Sequence, residues 1–445
     1  MSDAIKVGLL GCGTVGTGIL RILSENRADI VARLGADIEV VKILVRDLDK
    51  ARDPAVPEGL LTTNPGDVLA AGPDVLVEVL GGYEPARTLL LAGLEAGCHI
   101  VTANKALLAR HGAEIFRAAD VAAKDVIFEA SVGGGIPIIR TLREGLAADR
   151  IDSIHAIING TSNYMLTGMS QRAASYADVL GEAQARGYAE ADPTMDVGGF
   201  DAAQKLSILI SVSFGVDIPF DEITTEGIDR LTPQDFAFAR QFGYAVKPLA
   251  VAKAHLPKDP TAADAKIEIE ARVAPHLIPL DAMLAHTNGV FNAVRVHSHA
   301  LGPVLFYGQG AGMMPTAAAV VSDIIEVGRN IQRGTSGRLP HLAFHKELVR
   351  PMGLRPSAES ECPFYLRFTV RDEPGVIAQL STLLGAHGIS IRRMVQDQSE
   401  PGKPVPVVLL THLAREGSVK AALAGIDGLP FVTSPTCYLR VEDIH

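Results

Sequence analysis

Cysteine is scarce in this chain: four in 445 residues, Cys12, Cys98, Cys362 and Cys437, widely spaced and with no CxxC pair. That pattern offers neither a disulfide framework nor a zinc site, and makes a reducing cytoplasm the default compartment. Positive charge is in the minority. Lysine and arginine total 41 against 51 acids, a formal net charge of -10 and a pI near 5.7, so nothing marks a nucleic-acid partner. Long apolar runs are missing too: none approaches the ~20 residues that span a bilayer. The start, with Asp3 and Lys6 followed at once by glycines, lacks the charged, apolar and cleavable regions of a secretory signal. What is present is ordinary for a soluble globular protein, 47% hydrophobic and 21% charged residues, with mean hydropathy +0.21. The length suggests about three domains at ~100–200 residues each.

The first stretch with chemical meaning is IKVGLL, Ile5 to Leu10, followed by GCGTVG, Gly11 to Gly16, and a helical pattern through Ile19, Leu20, Ile22 and Leu23. GxGxxG directly after a strand and opening a helix is the setting in which glycines let the backbone approach a pyrophosphate at a helix N-terminus. The bland alternative is a tight turn in another α/β protein. A second strand, Ile38 to Val45, ends in Arg46 and Asp47. An arginine there suits the 2′-phosphate of NADP and an acid suits the ribose of NAD; Arg46 leans the reading towards NADP, while Asp47 keeps NAD open. Strands at Asp74–Leu80 and His99–Thr102 alternate with a helix through Leu89, Leu90 and Leu94, which predicts a doubly wound parallel sheet with ligands beyond its strand ends. Lys105, in the tetrad Ala103–Ala106, stands at one such end. VIFEASVGGGIP, Val126 to Pro137, joins a strand to three glycines whose exposed backbone suits a ligand or a hard cation, or simply a bend between domains.

The middle of the chain holds its densest set of ionisable residues. GYAEADPTMDVGGFDAAQKLSILISVSFG, Gly187 to Gly215, brings Glu190, Asp192, Asp196, Asp201 and Lys205 to the start of an apolar run. Asp201 and Lys205, four apart, share a helix face. A solvated surface pair is the plain reading; a lysine and carboxylates entering a buried helix point instead to pairing or chemistry. Before it, strand Ile151–Ile158 feeds the polar cluster Asn159, Thr161, Ser162 and Asn163, which either caps a helix or lines a pocket. Strand-like segments at Lys247–Ala254, Lys266–Val273 and Ala293–Val296 suggest a mixed sheet. The small-residue helix after GQGAGMMP, Gly308 to Pro315, is expected to return to the nucleotide domain. Residues 351–363 read as a linker. Beyond them strands and helices in the order βαββαβ follow the ferredoxin-like plan.

Seven segments then carry a resemblance: GCGTVG, GGYEPA, TANKALLA, EASVGGGIPII, NGTSNYML, GYAEADPTMDVGGFDAAQKL and GQGAGMMPTAAAVVSD, in that order. The chain resembles the long bacterial homoserine dehydrogenases over essentially its whole length. FTVRDEPGVIAQLSTLLGAHGISI resembles an ACT domain, a module that binds amino acids. Gly198 and Gly199 stand where the family pattern commonly has one glycine.

The resemblance implies a Rossmann-type domain over residues 1–137 completed by about 308–350, a substrate and dimerisation domain over 138–307, and an ACT domain over 364–445. It implies reversible, NAD(P)H-dependent reduction of L-aspartate 4-semialdehyde to L-homoserine, in the route to threonine, methionine and isoleucine. Lys205 and Lys105 are then expected beside the reacting carbonyl, with Asp201, Glu190, Asp196, Asn159 and Thr161 facing substrate or orienting the lysines. Gly11, Gly13, Thr14, Val15, Gly16, Arg46, Lys105 and Gly310 are the expected cofactor contacts. A monovalent cation, sodium in the family, would sit on carbonyls of Glu129, Val132, Gly134 and Ile136. Threonine is the expected effector, at Asp372–Ile377 and Gly388–Ile391, and a homodimer or homotetramer the expected assembly. The rivals are a non-enzymatic amino-acid sensor on a dinucleotide fold, against which the retained lysines and acids speak, and another semialdehyde or hydroxy-acid dehydrogenase. Aspartate-semialdehyde dehydrogenase would need a nucleophilic cysteine, and none lies between the nucleotide and substrate regions.

Overall fold

A computed structural model describes residues 3–257, 266–348, 352–396 and 403–444. Two compact units emerge: one of Met1–Asp152, Gln204–Glu222 and Phe291–Arg350, the other of Ser153–Ala203, Ile223–Val290 and Pro351–His445.

In the first unit the apolar runs become a parallel sheet. Its strands are β1 (Ile5–Leu10), β2 (Ile38–Leu44), β3 (Leu61–Thr62), β4 (Val75–Glu78), β5 (His99–Thr102) and β6 (Val126–Ile127), in the order β3-β2-β1-β4-β5-β6. Their ladder pairs are all parallel. β4 and β5 are buried along their whole length, as strands covered on both faces must be. The order reverses at β1, so the cleft beyond the C-terminal ends of β1 and β4 is where this topology accepts a ligand. The helix Thr14–Glu25 follows the glycine loop, and the helix Met313–Arg333 packs against it. A Cβ at Gly18 would lie 2.9 Å from both the Ala317 Cβ and the Met313 carbonyl, so the two helices touch backbone to side chain. Leu9, Ile19, Val320 and Ile324, all at 0% exposure, sit in the shared core, each contributing about 1.5–3 kcal/mol of burial. The small-residue helix therefore does return to the nucleotide sheet.

The second unit is organised on one mixed sheet, with strands in the order Ile151–Ile157, Tyr244–His255, Ile267–Pro279, Val432–Val441, Phe364–Val370, Val405–Thr411 and Ile391–Gln396. The last four make the βαββαβ module, with helices Val376–Ala386 and Glu416–Asp427. This module is fused to the rest rather than tethered: Val432–Val441 pairs parallel with Ile267–Pro279, and Leu277, Val246, Tyr365, Leu410 and Leu439 belong to one core. The stretch read as a linker carries strands as well. Met352–Leu354 pairs with Ile267–Ile269, and Glu361–Cys362 with Ala414–Arg415; Pro351 lies outside the described residues. Among the described residues no helix is long and apolar enough to cross a membrane.

Candidate functional site

The glycine loop is built for close approach. Gly11 has φ +104°, and a Cβ on Gly16 would fall 2.4 Å from the Gly11 carbonyl oxygen; only hydrogen fits there, which folds the loop tightly under the helix that follows. No side chain caps that helix at Gly13, so its first amide N–H groups, at Thr14, Val15 and Gly16, are left for an anion. These features fit a dinucleotide. Arg46 is exposed just past the end of β2.

Beside the loop opens a cavity of about 270 Å³, lined among others by Val15, Lys105, Gly134, Lys205, Gly310 and Thr316. Lys105 and Lys205, from unrelated stretches of sequence, line one space, and both are half-buried.

Lys105 owes its position to a buried network that sequence reasoning missed. Glu78, the last residue of β4 and fully buried, accepts hydrogen bonds from Leu80 N (2.8 Å), Gly81 N (3.1 Å) and the Thr102 hydroxyl (2.6 Å). The Asn104 amide donates to the Gly82 carbonyl at 2.7 Å while its oxygen accepts from Leu107 N, capping the helix that begins at Lys105. The signal was available: an acid inside the otherwise apolar VLVEVL is out of place unless its oxygens have donors.

Lys205 stands on the helix Phe200–Phe214. That helix supplies Asp201 to the second unit and Lys205 to the first. Within the second unit, the Asn159 amide donates to Asp196 at 2.7 Å and to Asp201 at 2.9 Å. Its oxygen accepts from Ser162 N and so caps the helix Gly160–Arg172. The capping reading of this polar cluster therefore holds, and Asn159 in addition gathers two carboxylates. The Thr161 hydroxyl donates to the Tyr188 carbonyl at 2.7 Å, tying down the loop that carries Glu190. Glu190 itself is exposed, its carbonyl taking a bond from Gln184.

The third feature is the turn Glu129–Ile136. The Glu129 and Ile136 carbonyls accept from Val132 N and Ile138 N, leaving each a second lone pair. The Glu129 carboxylate is buried and accepts from Ile139 N (2.8 Å) and Arg140 N (2.7 Å). Asp323, fully buried, accepts from Glu129 N at 2.9 Å and from Arg140 Nη2 at 3.0 Å. Burial raises the pKa of Glu129 against those two amides. Burial and then the Glu129 charge push Asp323 well up, against Arg140. The second lone pairs of the Glu129 and Ile136 carbonyls are the oxygens of this turn that a hard cation could take.

A separate cavity of about 270 Å³ lies in the βαββαβ module, lined by residues 370–378 with Gln396 and Val407. It includes the expected Asp372–Ile377 stretch; Gly388–Ile391 are not in its lining.

Comparison with known proteins agrees with this architecture. Three family models match: "Homoserine dehydrogenase, NAD binding domain" over residues 11–129, "Homoserine dehydrogenase" over 137–325 and "ACT domain" over 364–428. The chain is 43% identical to the homoserine dehydrogenase of Pseudomonas aeruginosa, covering 99% of each. With that of Bacillus subtilis it shares 36% identity over 99% of this chain and 98% of the relative. A homoserine dehydrogenase structure from Thiobacillus denitrificans superposes with a TM-score of 0.90 at 44% identity, over 99% of both chains. A hyperthermophilic archaeal homoserine dehydrogenase solved in complex with NADPH covers 73% of this chain and 98% of its own, at 26% identity and TM-score 0.59. A Rossmann-like nucleotide domain, a mixed-sheet domain and a C-terminal ACT domain, matched in order along the whole chain, make this protein a member of the homoserine dehydrogenase family, an oxidoreductase.

Proposed function

We propose that this protein interconverts L-aspartate 4-semialdehyde and L-homoserine with NADP as preferred partner, and that Lys205 is the proton donor with Lys105 its co-donor. The observation that carries the reading is the meeting of those two lysines in one cavity beside the glycine loop. When bound, the nicotinamide cofactor supplies the hydride, and the protein's part is to position and to stabilise charge. As the aldehyde is reduced its oxygen gains negative charge. Lys205 Nζ stabilises that charge and gives up a proton to it, directly or through one water, and Lys105 supplies a second cationic donor to the same oxygen. In the reverse direction Lys205 takes the hydroxyl proton of homoserine. Asp196 and Asp201, held together by Asn159, recognise the substrate ammonium with Glu190, and Thr161 supports the loop carrying Glu190. Asp201 also precedes Lys205 by one helical turn and biases its orientation.

The cofactor is held by the amides of Gly13, Thr14, Val15 and Gly16 over the tight Gly11 turn, with Gly310 facing the same cavity. Arg46 and the NADPH bound by the archaeal relative support NADP. A sodium ion would sit on the carbonyls of Glu129, Val132, Gly134 and Ile136, where those of Glu129 and Ile136 keep a second lone pair. The ACT cavity suits a small amino acid, threonine as end product of the route that this reaction feeds, acting as inhibitor in a cytoplasmic dimer or tetramer.

The test is an absorbance assay at the nicotinamide band with L-homoserine, run with NADP and with NAD, with and without threonine and sodium. The expected result is turnover with homoserine, a higher kcat/KM with NADP, and loss of rate as threonine is added. Absence of homoserine-dependent reduction of either cofactor contradicts the proposal and favours the sensor reading.

A further inference from the structure

Lys247, on the strand Tyr244–His255, is buried at 4% exposure. Among the described residues no carboxylate pairs with it, and burial alone draws its pKa down to about 8. A buried ammonium without a counter-ion is costly to fold in. Its Nζ is given to one loop: it donates to the Thr287 carbonyl at 2.7 Å and to Asn288 Oδ1 at 2.9 Å. A neutral amide could hold a loop at lower cost, so the use of a lysine here turns on what that loop supports.

Residues 287–290 back the helix Gly160–Arg172 along one face. Their contacts fall at Gly160, Asn163 and Thr167, whose spacing puts them on the same side of a helix. At Gly160 a Cβ would lie 3.0 Å from the Val290 carbonyl oxygen. The Asn163 amide, fully buried, donates to the Thr287 carbonyl at 3.2 Å and to the Gly289 carbonyl at 3.0 Å. Gly289 N donates to the Thr167 hydroxyl at 3.1 Å, and that hydroxyl donates to the Asn163 carbonyl at 2.7 Å. Lys247 and Asn163 thus meet on one carbonyl, that of Thr287. The helix held in this way begins at its cap Asn159, whose amide gathers Asp196 and Asp201. Lys247, the loop, the helix and both carboxylates all belong to the second unit.

We infer that Lys247 is a positioning residue for the substrate's ammonium group: through residues 287–290 and the first turns of the helix Gly160–Arg172 it sets where Asn159 holds the Asp196 and Asp201 carboxylates. Its bonds are charge-assisted, and so shorter and stronger than those of a neutral amide, which fixes the loop behind the helix. Carboxylates displaced from an ammonium lose the charged hydrogen bonds that hold it. This inference rests on the substrate reading proposed above and names what keeps the acidic end of that site in place.

Steady-state kinetics with L-homoserine test it in the wild type, Lys247→Met, Asn288→Ala, Asn159→Ala and the double variant of Lys247→Met with Asn159→Ala. Cofactor affinity by calorimetry and near-UV circular dichroism serve as controls. Lys247→Met should raise homoserine KM by roughly 3–30-fold, the range that coupling through a packed network carries, with kcat and cofactor affinity nearly unchanged. That split marks lost substrate binding, whereas a merely structural lesion would lower kcat through the active fraction. Asn288→Ala, which removes one exposed acceptor, should raise KM by less. In the double variant the rise should fall short of the product of the two single effects, because both act on the same carboxylates. A folded Lys247→Met variant with wild-type homoserine KM, one whose cofactor affinity falls as far as its homoserine affinity, or a double variant whose effects simply multiply overturns the role of Lys247 alone. No homoserine-dependent turnover in the wild type overturns the proposed function and this inference with it. If Lys247→Met misfolds, Asn288→Ala decides: an unchanged homoserine KM in it rejects the inference.

Discussion

Lys105 and Glu78 show how far single residues could be understood before the fold was known. A lysine at a strand tip is an exposed helix start in most proteins; it becomes a site residue here because Glu78, Thr102 and Asn104 fix the turn beneath it. The family motif pointed to Lys105, and the acid inside VLVEVL signalled that Glu78 needs donors, but nothing local named those donors, because Glu78, Thr102 and Asn104 come from two strand ends over twenty residues apart. Replacing Glu78 with Ala should orphan the Leu80 and Gly81 amides and the Thr102 hydroxyl, lowering stability by about 1–3 kcal/mol. Urea unfolding measures that, and cofactor KM should rise in the same variant because residues 80 and 81 line the cavity. The same logic makes Asn159→Ala informative. It leaves the Asp196 and Asp201 carboxylates without their shared donor; substrate KM should rise by about tenfold or more, with cofactor KM nearly unchanged.

Elements with strong periodicity were plain in the sequence, and those with short or mixed patterns were not. β1 and β5 occupy the stretches that the apolar runs suggested, and the mid-chain helix coincides with the apolar run entered by Asp201 and Lys205. The strand Gly302–Gln309 went unrecognised because none of its residues is fully buried and it carries glycines at 302 and 308; its antiparallel partner Phe291–Ser298 gives it its order. The turn 129–136 was readable as glycine-rich, but the need for glycine at 134 is tertiary. Gly134 has φ +56°, and a Cβ there would come within 2.6 Å of the Gly310 carbonyl carbon. Gly134→Ala should therefore cost about 1–3 kcal/mol in strain and displacement, seen as a lower Tm. Because both glycines line the cavity beside the glycine loop, the substitution should also weaken cofactor binding, whereas a change confined to Tm would limit the turn to a structural role.

At the scale of the molecule, length suggested about three domains, where three family models match in order but two compact units form; it did not suggest how closely the terminal module joins the middle sheet. Arg440, at 1% exposure, is the joint: it donates to Glu416 and to Glu226 at 2.6–2.9 Å. Arg440→Met would strand two acids and should cost about 3–5 kcal/mol. A chain cut before residue 361 exposes the same core, so effector binding is better tested by substitutions lining the ACT cavity than by truncation. Burial raises the Glu226 carboxyl, but the hydrogen bond and charge of Arg440 outweigh it and draw the pKa down to about 2. Burial, then the charge of Arg272, holds His276 at about 3. Both groups bind protons more readily in the unfolded chain. Their contribution is present in full above about pH 6.5 for His276 and above about 4.5 for Glu226. It is lost as pH falls through those values towards 3 and 2. Urea midpoints measured between pH 8 and 3 should decline in that window, and Glu226→Gln should flatten its lower part.

The paired lysines remain the centre of the account, and Lys205→Ala tests them most directly. Turnover of L-homoserine, followed by nicotinamide absorbance, should fall by about 10²–10⁴-fold, with cofactor affinity by calorimetry and the unfolding midpoint unchanged. A folded variant that binds cofactor normally and keeps more than roughly a tenth of wild-type turnover, well above the loss general acid catalysis demands, would contradict the assignment of Lys205 as proton donor.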